Sequence, residues 1–214
     1  MEKELIIRDP EFNNIIDLMM QKTLLTLDNL KPRLLDSDSN RGLTELSLQL
    51  LLFNNIINQC NPQIETEIEK SIEGEKRCDI FIKNKRNDIL IIEIKYIKIP
   101  FLENTIKDYV PTLKFYEKFA LWGRINNEIK NMKRCEIDSL KRRTEFIKSN
   151  DGTKIDKYQT IHSIMLNAEK QAEEYSKTFK SSDWRKLKEY NMYYIVITGI
   201  GFNLIKSPLL KLNK

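Results

Sequence analysis

Histidine and cysteine are scarce in this chain, which holds one histidine, His162, and three cysteines, Cys60, Cys78 and Cys135. The cysteines are far apart and none belongs to a C-x-x-C pair. A zinc site draws on Cys and His ligands in close-spaced sets, so none is expected here, and His162 reads as structural. An odd number of widely separated cysteines is equally unlike a disulfide-stapled secreted domain. Long apolar runs are missing too: LQLLLF and DILIIEI fall far short of the roughly twenty residues that cross a bilayer. The N-terminal MEKELIIRDPEF is charged from its second residue and offers no apolar stretch of the kind a signal peptide needs. A G-x-x-x-x-G-K-[ST] loop is also lacking, and with it any dedicated cradle for a nucleoside triphosphate. These absences lead to the expectation of a soluble intracellular protein, cytoplasmic or nuclear, with no membrane partner.

What remains is a globular composition. Of 214 residues, 41% are hydrophobic and 31% charged, while Gly and Pro number only 6 each. That size buries a real core as a single domain, 1–214, and the composition argues against wholesale disorder. The net charge of +5 is compatible with a polyanionic partner and equally ordinary in proteins that bind none.

Hydrophobic spacing divides the chain. From Pro10 to Leu30, Phe12, Ile15, Ile16, Leu18, Met19, Leu24, Leu25 and Leu27 recur with helical period, and Pro32 is expected to end that helix. LTELSLQLLLFNNII resumes as a second helix, apolar on most of its surface and expected to be buried, with Glu45 as its one acid. From Gln63 the period becomes two: Ile64, Thr66 and Ile68 alternate with Glu65, Glu67 and Glu69, and RCDIFIKN sets Cys78, Ile80 and Ile82 opposite Asp79 and Phe81. After NKRND comes ILIIEIKYI, apolar on both faces as a central strand would be. Two or three helices are expected between Phe101 and Lys141, and two short strands around Asn150-Asp151-Gly152. A long helix with Ile164, Ala168, Ala172, Tyr175 and Phe179 on one stripe follows, and YYIVITGIGF closes the chain as a buried strand. The order calls for an α/β fold with a central sheet flanked by helices.

Chemistry concentrates on the central strand. A period of two puts Ile91, Glu93 and Lys95 on one face, so a carboxylate and an ammonium share a strand that should be covered on both sides. Two readings stay open. One is an ion pair at the strand's solvated end. In the other, Asp79 on the adjacent strand joins Glu93 to hold a hard divalent cation, which takes oxygen ligands and keeps several waters. Such an ion would activate a bound water, and Lys95 could orient that water or neutralise a scissile phosphate. Gln171, at the edge of the long helix's apolar stripe, either borders the stripe or joins the site.

In combination, Glu45 in the second helix, Gly74-Glu75-Lys76-Arg77-Cys78-Asp79, Glu93-Ile94-Lys95, Ala168-Glu169-Lys170-Gln171 with Tyr175, and Gly199-Ile200-Gly201-Phe202 resemble the PD-(D/E)XK nuclease superfamily. The nearest likeness is to the subfamily found C-terminal to AAA-ATPase-like domains. The resemblance implies a restriction-endonuclease-like αβββαβ core with a mixed sheet, and a nuclease that uses Mg²⁺ or Mn²⁺ to hydrolyse phosphodiester bonds in nucleic acid, DNA before RNA. It implies Asp79 and Glu93 as metal ligands with Glu45 as an accessory acid near the metal, Lys95 as the catalytic lysine, and Gln171 and Tyr175 as supporting residues, Gln171 of the catalytic set and Tyr175 toward nucleic acid. A homodimer stays open. The competing expectation is a catalytically silent nuclease-like module for nucleic-acid binding or interaction.

Between Lys95 and the Gln171 helix lies an insertion at about 98–160, expected to be largely helical. Its basic residues, including Lys130, Lys133, Arg134, Lys141, Arg142, Arg143 and Lys148, with Tyr116, Trp122 and Phe146 near them, either track a phosphate backbone or form a solvated face.

Overall fold

A computed structural model describes residues 10–35, 43–58, 64–71, 77–102, 115–148, 154–182 and 191–211. In chain order the elements are α1 (Pro10–Leu35), α2 (Glu45–Ile57), β1 (Glu65–Ser71), β2 (Arg77–Lys83), β3 (Ile89–Ile97), a short 3-10 turn (Ile99–Phe101), α3 (Phe115–Asn131), α4 (Arg134–Ser139), β4 (Lys141–Lys148), β5 (Lys154–Thr160), α5 (Ile161–Ser182), β6 (Met192–Ile200), β7 (Asn203–Lys206) and β8 (Leu210–Lys211).

Asn84 shapes the turn between β2 and β3. Its Oδ1 accepts from the backbone N–H groups of Arg86 at 3.0 Å and Asp88 at 2.9 Å, and Asn87 takes a left-handed φ of 61°. Asparagine suits both positions, because it bonds its local backbone and tolerates positive φ. The turn sets an antiparallel register with Phe81 opposite Ile91 and Ile80 opposite Ile92. In the same turn, Asp88 Oδ1 accepts from Asn191 N–H at 2.8 Å and Asn191 Nδ2 at 2.9 Å, tying the start of β3 to the start of β6.

The sheet runs β1-β2-β3-β6-β7, with β8 also on β6. β3 and β6 are parallel along their whole length, with Glu93 beside Val196 and Lys95 beside Thr198; all other neighbours in the sheet are antiparallel. The chain is therefore α/β with a mixed sheet flanked by helices. On one face α1 and α2 pack Phe12, Ile16, Leu48 and Leu52 against Ile80, Ile82, Leu90, Ile92, Ile94 and Ile197. On the other, Ala172 and Tyr175 of α5 cover Phe81, Ile91 and Tyr194. A third cluster joins Ile125 and Ile129 of α3 and Ile137 of α4 to Ile97, Ile164 and Ile200. The insertion thus shares a core with the sheet, and it holds the β4–β5 hairpin besides its helices. The Asn150-Asp151-Gly152 turn, Pro111, Trp184 and the Gly74–Lys76 part of the quoted motif lie outside the described residues, as do the side chains of Tyr116, Phe146, Lys148 and Phe179.

Three expectations need correction. α1 runs on to Leu35, past Pro32, since the proline removes a single i→i−4 hydrogen bond and less than one further turn of helix follows it. α2 is not buried on most of its surface: Leu48, Gln49, Leu52 and Ile56 face the sheet, while Leu46, Leu50 and Ile57 are exposed. β6 does not close the fold, since Gly201 turns the chain back into β7 at φ +58°. A Cβ on Gly201 would come within 2.4 Å of Asn126 Oδ1, the buried acceptor of the Phe202 N–H. Gly199 answers a different demand, because a Cβ there would lie 2.6 Å from Leu48 Cδ2 and 2.8 Å from the Tyr96 ring.

Candidate active site

The site forms where β2 and β3 part. Their ladder stops at Ile80–Ile92, one pair short of Asp79 and Glu93. β3 continues beyond that point on the support of β6, so its next backbone donors on the β2 side need another acceptor. Asp79 supplies one: its Oδ2 accepts from Ile94 N–H at 2.6 Å. Glu45, at the first position of α2, supplies the next, its Oε2 accepting from Tyr96 N–H at 3.1 Å. α2 is placed for this by Thr44, whose hydroxyl caps the helix by accepting from Ser47 N–H at 3.1 Å.

Glu93 lies on the face that α5 covers and is 1% exposed. Its Oε1 accepts from Lys95 Nζ at 2.8 Å, and Lys95 Nζ is 4.0 Å from Glu45. The ion pair expected at a solvated rim is thus real, but its carboxylate is buried. The other oxygen, Glu93 Oε2, is enclosed and has no hydrogen-bond partner among the described residues. A buried carboxylate oxygen in that state is costly and calls for an account.

The electrostatics agree. Burial pushes the Glu93 carboxyl up from 4.5 to about 7, helped by the Asp79 charge beside it and opposed by Lys95. Burial likewise lifts Asp79 from 3.8 to about 6, against the Ile94 hydrogen bond and Lys95, with Glu45 and Glu69 adding like charge. Lost hydration would lower the Lys95 pKa, yet Glu93, Glu45 and Asp79 together hold it above the ordinary lysine value. One lysine is shared by more acid than it can neutralise.

Tyr175 is buried within reach of these charges, its phenol lifted by burial, and its hydroxyl receives a hydrogen bond from the Gln171 amide one turn earlier on α5. Glu45, Asp79, Glu93, Lys95, Gln171 and Tyr175 are thereby brought to one end of β3.

The insertion's basic residues are placed differently. Arg134 is tied into the fold through Asp138 at 2.8 Å, the Lys206 carbonyl at 2.9 Å and Met165 Sδ at 3.0 Å. Arg143 lies over the Phe101 ring, 6.0 Å from its centroid, and Arg142 buries an Nε without a partner among the described residues. Lys133 is exposed at the start of α4, where its backbone N–H bonds Glu136 at 2.6 Å. Trp122 packs against the third core cluster.

Three residues at the site escape sequence reasoning. Gln49, 3% exposed, donates its amide to the Asp79 carbonyl at 2.8 Å and to Glu69 Oε1 at 2.9 Å. The available signal was a lone polar residue inside LSLQLLLF, one turn after Glu45. Glu69 has φ +49°, opposite Asp79 where β1 and β2 skip a pair. Strict alternation hides it among solvent-facing glutamates. Thr198, fully buried beside Lys95, was one more β-branched residue in YYIVITGI.

Comparison of the chain with protein-family models, with curated proteins and with solved structures finds no match. The geometry must therefore speak for the function.

It fits a hard cation in donor chemistry. Two carboxylates sit side by side, both raised, one with a buried free oxygen. Among the described residues, no three His, Cys, Asp or Glu side chains close around one point. That is compatible with Mg²⁺, which takes one or two carboxylates and fills its remaining positions with water and substrate oxygens.

Proposed function

We propose that the chain is a metal-dependent nuclease of PD-(D/E)XK type, with a restriction-endonuclease-like core, that hydrolyses phosphodiester bonds in nucleic acid, DNA being the first substrate to try. The observation that carries the reading is Glu93: a buried carboxylate with one oxygen on Lys95, the other without a partner, and Asp79 one strand away. Burying such a group without compensation costs several kcal/mol, about what a divalent cation would relieve. The antiparallel β1-β2-β3 meander, with β6 parallel to β3 and α5 across the face, supports the same reading.

Asp79 and Glu93 would hold Mg²⁺ or Mn²⁺, with Glu45 in reach as an accessory acid. When bound, the ion would supply Lewis acidity to a phosphoryl oxygen and lower the pKa of a water. Lys95 is partly exposed beside these carboxylates and would supply a positive charge for the scissile phosphate. The Ile94 and Tyr96 N–H groups keep Asp79 and Glu45 aimed at that end of the strand. Gln171 and Tyr175 form its wall on the α5 side.

Purified protein incubated with plasmid and linear DNA should cut in Mg²⁺ or Mn²⁺ and stop cutting in EDTA, and Lys95→Ala should abolish cutting. Inactivity of the wild type on DNA and RNA with both metals sinks the proposal. Tight, salt-dependent binding without turnover points instead to a silent nucleic-acid-binding module.

A further inference from the structure

Two of the four buried side-chain polar atoms without a partner among the described residues belong to this site, Glu93 Oε2 and Thr198 Oγ1. They lie on adjacent strands and on the same face. β3 and β6 run parallel with Glu93 beside Val196 and Lys95 beside Thr198, so Thr198 is one strand across and two residues along from Glu93. The Glu93 side chain leans that way, because its Oε1 meets the ammonium of Lys95, the residue beside Thr198. Strands sit about 4.8 Å apart and rise about 3.3 Å per residue, which brings the two orphaned oxygens to the same part of the sheet. On α5, Ala168, buried and small, comes between Ile164, which packs with Ile97 and Ile200, and Ala172, which packs with Ile91 and Tyr194.

A threonine hydroxyl normally finds an acceptor, and one sealed inside a sheet without any is destabilising. Valine has nearly the same shape and avoids that cost. Packing alone therefore gives no reason for threonine at 198, whereas a hydroxyl facing a carboxylate oxygen is half of a water site, needing only a small molecule that accepts from the one and donates to the other.

We propose that Thr198 is a positioning residue of the active site, its hydroxyl and Glu93 Oε2 together holding one water beside Lys95. This rests on the nuclease reading and goes beyond it. The hydroxyl donates to the water oxygen and the water donates one proton to Glu93 Oε2, which leaves the water's second lone pair directed away from the sheet, toward Lys95 and any cation at that end of the strand. Thr198 touches no substrate; it fixes the orientation of the water that does.

The test compares Thr198→Val and Thr198→Ser with the wild type in three measurements. In EDTA, T198V should melt at or below the wild type, because the methyl removes one of the two groups that hold the water on Glu93 Oε2. Mn²⁺ titration followed by the electron paramagnetic resonance of the free ion should show affinity lowered about tenfold. On DNA, kcat should fall at least tenfold with KM within about twofold, and T198S, which keeps the hydroxyl, should recover most of the loss. A merely structural threonine predicts T198V with raised stability and unchanged Mn²⁺ affinity and kcat, and that result overturns the proposal. T198S as impaired as T198V overturns it as well. If the wild type binds Mn²⁺ but cuts nothing, the nuclease reading fails while weaker Mn²⁺ binding by T198V still upholds Thr198; a wild type that neither binds Mn²⁺ nor cuts removes both.

Discussion

Asp79 gives a side-chain oxygen to the backbone of the neighbouring strand: its Oδ2 accepts from Ile94 N–H at 2.6 Å, just past the last β2–β3 ladder pair. The carboxylate does in the plane of the sheet what a backbone carbonyl would do if β2 continued alongside. That fixes the Asp79 side chain beside Glu93 and leaves a cleft between the strands in place of further pairing.

This double role separates two substitutions. Asp79→Asn keeps a carbonyl oxygen for Ile94 while removing a like charge beside Glu93. Asp79→Ala loses the acceptor, at about 1–2 kcal/mol for an unsatisfied backbone donor. At pH 8 in EDTA the order of melting temperatures should be D79N at or above wild type, then D79A below it, with cleavage lost in both. Finding the two variants equally destabilised would show that the clamp needs the charge and not the oxygen.

The pH dependence of stability should run opposite to that of an ordinary paired carboxylate. Glu93 rises from 4.5 to about 7 and Asp79 from 3.8 to about 6, so the folded chain binds more protons than the unfolded chain between those limits. Where the native state holds the extra protons, stability falls as pH rises. The pair's penalty is absent below about pH 4, grows through the window and is complete above about pH 7. For Glu93 it is on the order of 3 kcal/mol. Thermal melts at pH 5 and pH 8 without divalent cation should show Glu93→Gln gaining several degrees on the wild type as pH increases. A constant gap between the two proteins at both pH values refutes the shift.

The sequence made much of this visible because strand and helix periods differ. The alternation in RCDIFIKN and ILIIEIKYI placed Asp79, Glu93 and Lys95, and the helical stripe of α5 placed Gln171 and Tyr175 over them. What it could not reveal depends on partners distant in sequence. α2 is apolar all round, so its period cannot choose between the Leu46–Leu50 face and the Leu48–Leu52 face; packing on the sheet chose the second and brought Gln49 inward. Glu69 departs from alternation through one positive φ, which no residue type in ETEIEKS announces. Thr198 gains meaning only from the parallel register that sets it beside Lys95.

Gln49 links α2 to both sheet strands at the site, through the Asp79 carbonyl and the Glu69 carboxylate. Gln49→Leu fits the apolar surroundings but leaves both acceptors without their donor. It should cost about 1–3 kcal/mol in urea unfolding and lower kcat by shifting Asp79. Glu69→Ala should do less, and combining the two should cost less than their sum, because each removes the same hydrogen bond. Strict additivity in the double-mutant cycle argues that Glu69 and Gln49 do not work together.

Divalent cation should reverse the pH effect on stability. A ligand that binds the native state alone stabilises it by RT ln(1 + [L]/Kd), about 2.7 kcal/mol at one hundred times Kd. Binding at Asp79 and Glu93 requires both to be ionised, so protons compete with the ion through the window from about 6 to about 7 where they titrate. Millimolar Mg²⁺ or Mn²⁺ should therefore raise the melting temperature by several degrees at pH 8 and by little at pH 5. Lys95→Met should keep or enlarge the gain, since the ammonium no longer competes for Glu93 Oε1, even though cutting is abolished. D79N and E93Q should lose most of it. A gain that persists undiminished in both carboxylate variants would place the ion elsewhere on the molecule and detach the site at the end of β3 from metal chemistry.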